Sequence, residues 1–171
     1  ICMSHQLDIA VQNMISQWGQ TPYGELSVVL SFLRYLSLVH QTNHHISKGD
    51  SFYSDHLLFD RLYTEANAEI DQIAEKAVGL GSSKNVNLLL QANQVNKLIS
   101  EHSTHEINIP RVEELAYSSL YAEKRFLHMM VIVYSSLTAK NQLTKGVDNM
   151  LAGLVDDHES HIYLLKQRVS K

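Results

Sequence analysis

Two pairs of metal-ligating side chains lie in the first half of the sequence. His56 and Asp60 are four residues apart, as are Asp71 and Glu75. Residues four apart share one face of an α-helix, and the eleven residues from Asp60 to Asp71 make about three turns, so all four side chains fall on one side. Imidazole and carboxylate donors together suit Fe(II), Mn(II) or Zn(II) better than Ca²⁺ or Mg²⁺. The spacing therefore predicts a transition-metal site on one helix face.

One helix cannot complete a two-metal site from both pairs. At a rise of about 1.5 Å per residue, Asp60 and Asp71 are roughly 16 Å apart, whereas the ions of such a centre lie about 3.5–4 Å apart. The four positions are, however, symmetric about a point just before Ala66. A two-fold axis there would place His56 opposite Glu75 of a second copy, and Asp60 opposite Asp71. The sequence therefore predicts a homodimer with two equivalent sites.

A second imidazole can join this set from the preceding helix. His44 lies just before, and His56 just after, a turn predicted over residues 47–51. In an antiparallel helical hairpin these two side chains sit at similar depth. The predicted ligands are His44, His56, Asp60, Asp71 and Glu75. Because three carboxylates also stabilise a ferric product, oxidation of ferrous iron is the leading predicted chemistry.

Long amphipathic helices position these residues in the predicted fold. Two prolines and seven glycines are few for 171 residues, which favours helices over a turn-rich β architecture. Apolar residues at three- and four-residue spacing predict four long helices: Thr21-Pro22, as cap and first helical residue, to about His45; Ser51 to Val78; Arg111 to Leu137; and Thr144 to Val169. Shorter helices are predicted from Leu7 to Trp18 and from Asn87 to Ser100. The predicted fold class is all-α: one domain over residues 1–171, a four-helix bundle with a short extra helix between the second and third long helices.

The segment that carries the histidines resembles a motif of the Dps family, the DNA-binding proteins from starved cells, which are also called miniferritins. The segment HHISKGDSFYSDH, from His44 to His56, matches the family's pattern His-Trp-Asn-Val-Lys-Gly-Pro-x-Phe followed by a second histidine. The residues that follow at the family's spacing are Phe59-Asp60, Tyr63, Asp71 and Ala74-Glu75-Lys76. The resemblance is specific from about Leu26 to Gly81 and looser, in helix order and length, elsewhere.

The resemblance implies a ferritin-like subunit of a hollow, dodecameric shell assembled from two-fold dimers. In this family, ferrous iron is oxidised at the dimer interfaces, typically by hydrogen peroxide, and the ferric mineral is held inside. Each of the family's five ligands matches one of the five predicted residues, so the resemblance assigns Fe²⁺ and Fe³⁺ to them. The chain departs from the pattern at His45, where tryptophan is usual, and it shows no Lys-rich tail of the kind that many DNA-binding members use.

Charge and hydropathy argue against DNA and membranes as partners. The net charge is −4 and the pI about 6.2, and no lysine or arginine precedes Arg34, so electrostatic attraction to DNA is possible but not favoured. The longest apolar stretch, residues 126–134, is too short to span a membrane. No basic segment precedes a hydrophobic one, which predicts no secretory signal. With a single cysteine, Cys2, these features favour a cytoplasmic protein.

Three alternative functions have their own signatures. A classical ferritin or bacterioferritin would carry Glu-x-x-His motifs inside each bundle, and this sequence contains none. A nucleoid-compacting shell that binds DNA, with metal binding secondary, is the alternative that the charge disfavours. A helical interaction module without chemistry would neither take up iron nor form a large assembly.

Five further histidines are interpreted as residues without a ligand role. His158 and His161 stand beside several acidic residues, which indicates a hydrated acidic face rather than a second metal site or a pore. His102 and His105 lie in a polar connection and are predicted at the surface. His128 lies in the longest apolar stretch and is predicted to be buried and hydrogen-bonded.

Overall fold

The computed structural model of the protein describes residues 2–106 and 114–170, and within these ranges it contains six α-helices and no β-strand. The helices are α1 (Cys2–Gln17), α2 (Gly24–Ile46), α3 (Phe52–Leu80), α4 (Leu88–Glu106), α5 (Glu114–Ala139) and α6 (Lys145–Val169). A short 3-10 helix, Ser83–Val86, joins α3 to α4. The predicted all-α fold is confirmed. None of the described helices is both long and apolar enough to cross a lipid bilayer.

Helices α2, α3, α5 and α6 form the four-helix bundle. α2 packs against α3 and α5, and α5 packs against α6, while α1 and α4 lie on the outside against α2 and α5. The extra helix, α4, has 19 residues and ends later than the predicted Ser100. The predicted start of the third long helix at Arg111 lies outside the described residues. The fourth long helix, predicted from about Thr144, begins at Lys145. Thr144 caps it, its side chain accepting a hydrogen bond from the backbone N–H of Val147.

The start of α2 differs from the prediction. The helix begins at Gly24 rather than at Pro22, and Tyr23 before it has a left-handed backbone with φ of 61°. The reason is the packing of Gly24 against Trp18, the first residue after α1. A Cβ atom at Gly24 would lie 2.8 Å from the Cβ of Trp18, which is closer than two carbon atoms can approach. The helix therefore starts where glycine lets the buried indole lie against the backbone.

A tight turn between α2 and α3 sets the height of the predicted metal ligands. Gly49 has a φ of +82°, a conformation that glycine adopts without steric cost. The hydroxyl of Ser47 donates to the carbonyl oxygen of His44 at 2.8 Å and helps to end α2. Since the chain reverses within a few residues, the last turn of α2 lies beside the first turns of α3. His44 and His56 are thereby brought to the same level of the bundle.

The hydrophobic core is divided into two clusters along the bundle axis. The larger cluster surrounds the middle of α2 and includes Phe32, Leu36, Phe126 and Leu154. The smaller one lies towards the α2–α3 turn and consists of Phe59, Leu62, Ala116, Leu120, Ile162 and Leu165. The buried polar residues that belong to neither cluster include Glu69 on α3, Glu123 on α5, and His158 and His161 on α6. The bundle therefore contains a polar layer within its core.

Candidate metal centres

The structure brings the two predicted histidines into direct contact. The imidazole rings of His44 and His56 stack with their centroids 3.8 Å apart. Nδ1 of His44 donates to the backbone oxygen of His56 at 2.9 Å, and Nδ1 of His56 donates to the backbone oxygen of His44 at 3.2 Å. A carbonyl oxygen only accepts, so each neutral ring carries its proton on Nδ1. Both Nε2 atoms then keep a lone pair for a metal ion.

The carboxylate of Asp60 lies one helical turn beyond His56. Hydrogen bonding to Asp60, partial burial and the negative charge of Asp60 raise the pKa of the Tyr63 phenol above its usual range. The ring of Tyr63 also stands edge-on to that of His44, with centroids 5.3 Å apart. Tyr63 therefore lies close to both a predicted carboxylate ligand and a predicted imidazole ligand.

The two remaining predicted ligands lie further along α3. Asp71 and Glu75 are exposed on the outer face of the helix, whereas His44, His56 and Asp60 are half-buried. Within the described ranges, the only group of three or more side chains whose ligand atoms lie within 4.8 Å of one another is made of other residues. A single chain therefore does not assemble the five predicted ligands, and their union across two copies stays a prediction.

A second cluster of histidine and glutamate lies in the polar layer inside the bundle. His158 and His161 are 0% and 1% exposed, so the interpretation as a hydrated acidic face is wrong. Their acidic neighbours Asp156, Asp157 and Glu159 do point to solvent. His158 and His161 instead follow Leu151 and Leu154 at three- and four-residue spacing and share the inward face of α6. The full cluster is His40 on α2, Glu65 and Glu69 on α3, Glu123 on α5, and His158 and His161 on α6.

Glu123 is the centre of this cluster and is fully buried. Its Oε1 accepts a hydrogen bond from Nε2 of His40 at 2.8 Å, and its Oε2 accepts one from Nδ1 of His158 at 2.5 Å. Nδ1 of His161 lies 3.4 Å from Oε1 of Glu123 without forming a hydrogen bond. One carboxylate thus faces three imidazoles that come from two other helices.

Two further glutamates hold the far side of the α6 histidines. Nε2 of His158 contacts Glu69 at 3.0 Å, and Nε2 of His161 contacts Glu65 at 2.5 Å. Both carboxylates come from α3, and Glu65 also accepts a hydrogen bond from Arg61 at the surface. His158 and His161 therefore each lie between Glu123 and one glutamate of α3.

The charges of this cluster are strongly coupled. Burial alone would lower the pKa of His158, but the charges and hydrogen bonds of Glu123 and Glu69 raise it to about 10. The pKa of His161 is also raised, because Glu123 and Glu65 outweigh its burial. Burial opposes ionisation of Glu123, yet the charge of His158 and the hydrogen bonds of the imidazoles hold the pKa of its carboxyl well below the usual range. Without a metal ion, the surrounding glutamates therefore favour the protonated form of both α6 imidazoles.

His40 is oriented by a separate set of polar contacts. Its Nδ1 lies 2.9 Å from the hydroxyl of Ser119, which also accepts a hydrogen bond from the amide of Asn43 at 2.9 Å. The hydroxyl proton of Ser119 is thus directed at Nδ1, and Nε2 of His40 carries the proton that Glu123 accepts. His40 is a positioning residue for the central carboxylate.

The other histidines have structural roles, although not all are where the sequence places them. His102 is 3% exposed, with Nδ1 2.5 Å from the hydroxyl of Tyr35 and Nε2 2.8 Å from that of Ser118, so the prediction of a surface residue is wrong. It faces inward because α4 packs against α2 and α5. His105 is half-buried. His128 is hydrogen-bonded to Asp8 as predicted, but it is half-buried rather than buried.

Comparison with known proteins supports the predicted fold. No protein-family model matches the chain, and no curated protein sequence matches it either. Among solved structures, DpsC from Streptomyces coelicolor is similar with a TM-score of 0.68 and 19% identity, over 86% of this chain and 82% of that one. Dps from Thermosynechococcus elongatus is similar with a TM-score of 0.66 and 18% identity, over 95% and 96% of the two chains. The chain therefore has the Dps-type, ferritin-like fold that the sequence resemblance implies.

Proposed function

We propose that this chain, which has the fold of the Dps proteins, is a miniferritin that oxidises ferrous iron, stores the ferric product in a homo-oligomeric shell, and so limits oxidative damage. The observation that carries the proposal is the pair His44 and His56. Both Nδ1 atoms are occupied by carbonyl oxygens, so each ring is fixed and presents Nε2 to a metal ion. Surface histidines without a ligand role do not need both rings to be held in place by each other's backbone.

The iron substrate is bound between two copies of the chain. His44, His56 and Asp60 of one subunit face Asp71 and Glu75 of its two-fold mate. Two ferrous ions held side by side each give up one electron, and hydrogen peroxide with two protons accepts both electrons and forms two water molecules. Because both electrons are transferred together, no hydroxyl radical is released. Tyr63, which lies against His44, is placed to quench a stray one-electron oxidation.

The surface around the middle of α3 supports pairing with a second copy. Leu57 and Val78 are exposed apolar residues near opposite ends of the predicted pairing face, at 50% and 39% exposure. A groove of about 510 Å³ runs beside this face between α2 and α4, and its lining includes the apolar residues Leu38, Ile70 and Val95 together with several polar ones. Exposed apolar surface of this kind is typical of an interaction site. A second copy of the chain, laid antiparallel along α3, would cover it.

The proposal extends to a shell of such dimers but not to DNA. A dodecamer is the assembly that the family resemblance implies, and the cytoplasm is the compartment that we propose for it. Helix α1 carries no lysine or arginine, and its buried residues Val11 and Met14 pack into the core, so it is not a free basic arm. Gel-shift titration across salt concentrations would detect a DNA-binding shell by a steep loss of affinity with salt.

Iron oxidation by an Asp60→Ala variant tests the proposal. Addition of Fe(II) and hydrogen peroxide to the wild-type protein should give rapid ferric absorbance and little hydroxyl radical. We expect Asp60→Ala to lose at least tenfold in rate, since the site loses a carboxylate that binds the metal. Asp157→Ala is the matched control, because Asp157 is an exposed aspartate on α6 outside both metal centres. Equal rates for the wild type and the two variants would exclude the proposed site.

A further inference from the structure

The histidine–glutamate cluster inside the bundle has the arrangement of a metal site. Its members come from all four bundle helices and meet in the polar layer between the two halves of the core. We propose that each subunit binds its own divalent transition-metal ion there, through Glu123, His158 and His161. This ion would be held within one chain, independently of the iron site between subunits.

The ligand atoms are close enough for one ion. Glu123, His158 and His161 each offer an atom within 4.8 Å of the others. An ion about 2.1 Å from each donor places tetrahedral ligands roughly 3.4 Å apart, so small side-chain movements complete the site. Nδ1 of His161 already lies 3.4 Å from Oε1 of Glu123.

One buried atom of the cluster forms no hydrogen bond in the metal-free arrangement. This atom is Nδ1 of His161, a residue that is 1% exposed, and its 3.4 Å contact with Oε1 of Glu123 does not make a hydrogen bond. Buried polar atoms are almost always paired, so an unpaired one calls for an explanation. A metal ion beside Glu123 would take the lone pair of this nitrogen.

The outer residues orient the ligands as they do in known metal sites. In the metal-bound state, Nε2 of His161 would donate to Glu65 and Nε2 of His158 would donate to Glu69. The Nδ1 atoms, which face Glu123, would then give up any proton and offer their lone pairs to the ion. Carboxylates that fix the tautomer of a ligating histidine are typical of protein metal centres. His40 similarly holds the other oxygen of Glu123.

The donor set defines the class of metal. Two imidazole nitrogens and one carboxylate, with further coordination positions open, suit Fe(II) or Zn(II) and suit Ca²⁺ or Mg²⁺ poorly. Glu65 provides a route inward, because its side chain is 38% exposed and joins the surface at Arg61 to the buried His161. The metal would replace protons that the imidazoles carry in its absence.

Cobalt binding tests the proposal in a chain that lacks all five predicted interface ligands. The background variant His44→Gln/His56→Gln/Asp60→Ala/Asp71→Asn/Glu75→Gln, stripped with chelator, should still bind one Co(II) per chain and develop visible d–d absorption. Adding His161→Gln should abolish this binding, whereas His102→Gln, which alters a buried histidine outside the cluster, should not. Circular dichroism would confirm that the variants are folded.

A second measurement keeps the test decisive if His161→Gln does not fold. In the background variant, Zn²⁺ titration should shift the side-chain ¹⁵N resonances of His158 and His161 and leave that of His102 in place. Absence of Co(II) binding and of these shifts, or binding that persists in a folded His161→Gln variant, would overturn the proposal. If the background variant loses iron oxidation but still binds cobalt, the buried site is independent of the iron site between subunits.

Discussion

At the scale of single residues, Glu123 is the side chain that contacts all three histidines of the buried cluster. It is fully buried and carries the charge that balances the protonated imidazoles around it. Removing one partner of a buried ionic cluster leaves the other charges without compensation. The contribution of Glu123 to stability should therefore depend on what replaces it. An amide can still accept from His40 and donate to a neutral His158, whereas a methyl group can do neither.

Substitution of Glu123 should separate these two cases. In chelator-treated protein at equal subunit concentration, we expect Glu123→Ala to cost about 3 kcal/mol or more in the free energy of unfolding. Glu123→Gln should cost about 1 kcal/mol less than that. Glu159→Ala, on the exposed side of α6, should change it by no more than about 0.5 kcal/mol. Thermal melting measures all three, and identical melting temperatures would show that the buried charge network does not contribute to stability.

The sequence predicts the ligands of the interface site but not the buried histidine–glutamate cluster, and the difference has a physical reason. The pairs His56/Asp60 and Asp71/Glu75 can be recognised because they repeat at helical spacing within one segment. The buried cluster is distributed over four helices, and only folding brings His40 and His161 together. A signal was nevertheless present, since Leu151, Leu154, His158, His161 and Leu165 form one continuous inward-facing stripe. The acidic neighbours of His158 and His161 made this stripe look like a solvated face. The absence of a Glu-x-x-His motif likewise does not exclude a histidine–glutamate cluster inside the bundle.

At the scale of elements, the ends of α2 and α3 are fixed by close contacts that periodicity cannot reveal. α3 ends where the amide of Asn85 donates to the carbonyl oxygens of Pro22 and Ala77, at 2.8 and 2.9 Å. A Cβ atom at Gly81 would lie 2.3 Å from that amide and 2.4 Å from the oxygen of Pro22. The helix types and their order are therefore predictable from apolar spacing, but the start of α2 is not. It depends on the packing of Trp18 against Gly24, which apolar spacing does not reveal.

Two glycines near the end of α3 provide a matched test of this contact. Gly81→Ala should lower the free energy of unfolding by about 2 kcal/mol, because it displaces Asn85 from buried carbonyl oxygens. Gly79→Ala meets no atom within 4 Å and lies within the helix, so it should raise stability by about 0.5 kcal/mol. Chemical denaturation of both variants under the same conditions checks the sign. Destabilisation of similar size in the two variants would contradict the role of the Asn85 contact.

At the scale of the whole molecule, the proposed oxidation of iron requires two copies of the chain to share one iron site. In the proposed arrangement, each subunit supplies His44, His56 and Asp60 to one site and Asp71 and Glu75 to the other. A variant that lacks Asp60 and a variant that lacks Asp71 should therefore both be inactive as homodimers. In a mixed dimer, one site has lost both aspartates, while the other site is complete. The two inactive variants should restore activity in each other.

Co-assembly of Asp60→Ala and Asp71→Asn subunits tests this claim most directly. The two variants are expressed together with different affinity tags, and iron oxidation by the purified mixed shells is compared with that of each variant alone. Random pairing in equal amounts leaves about a quarter of the sites intact, so we expect about a quarter of the wild-type rate. No recovery of activity in mixed shells of normal mass would contradict an iron site shared between subunits.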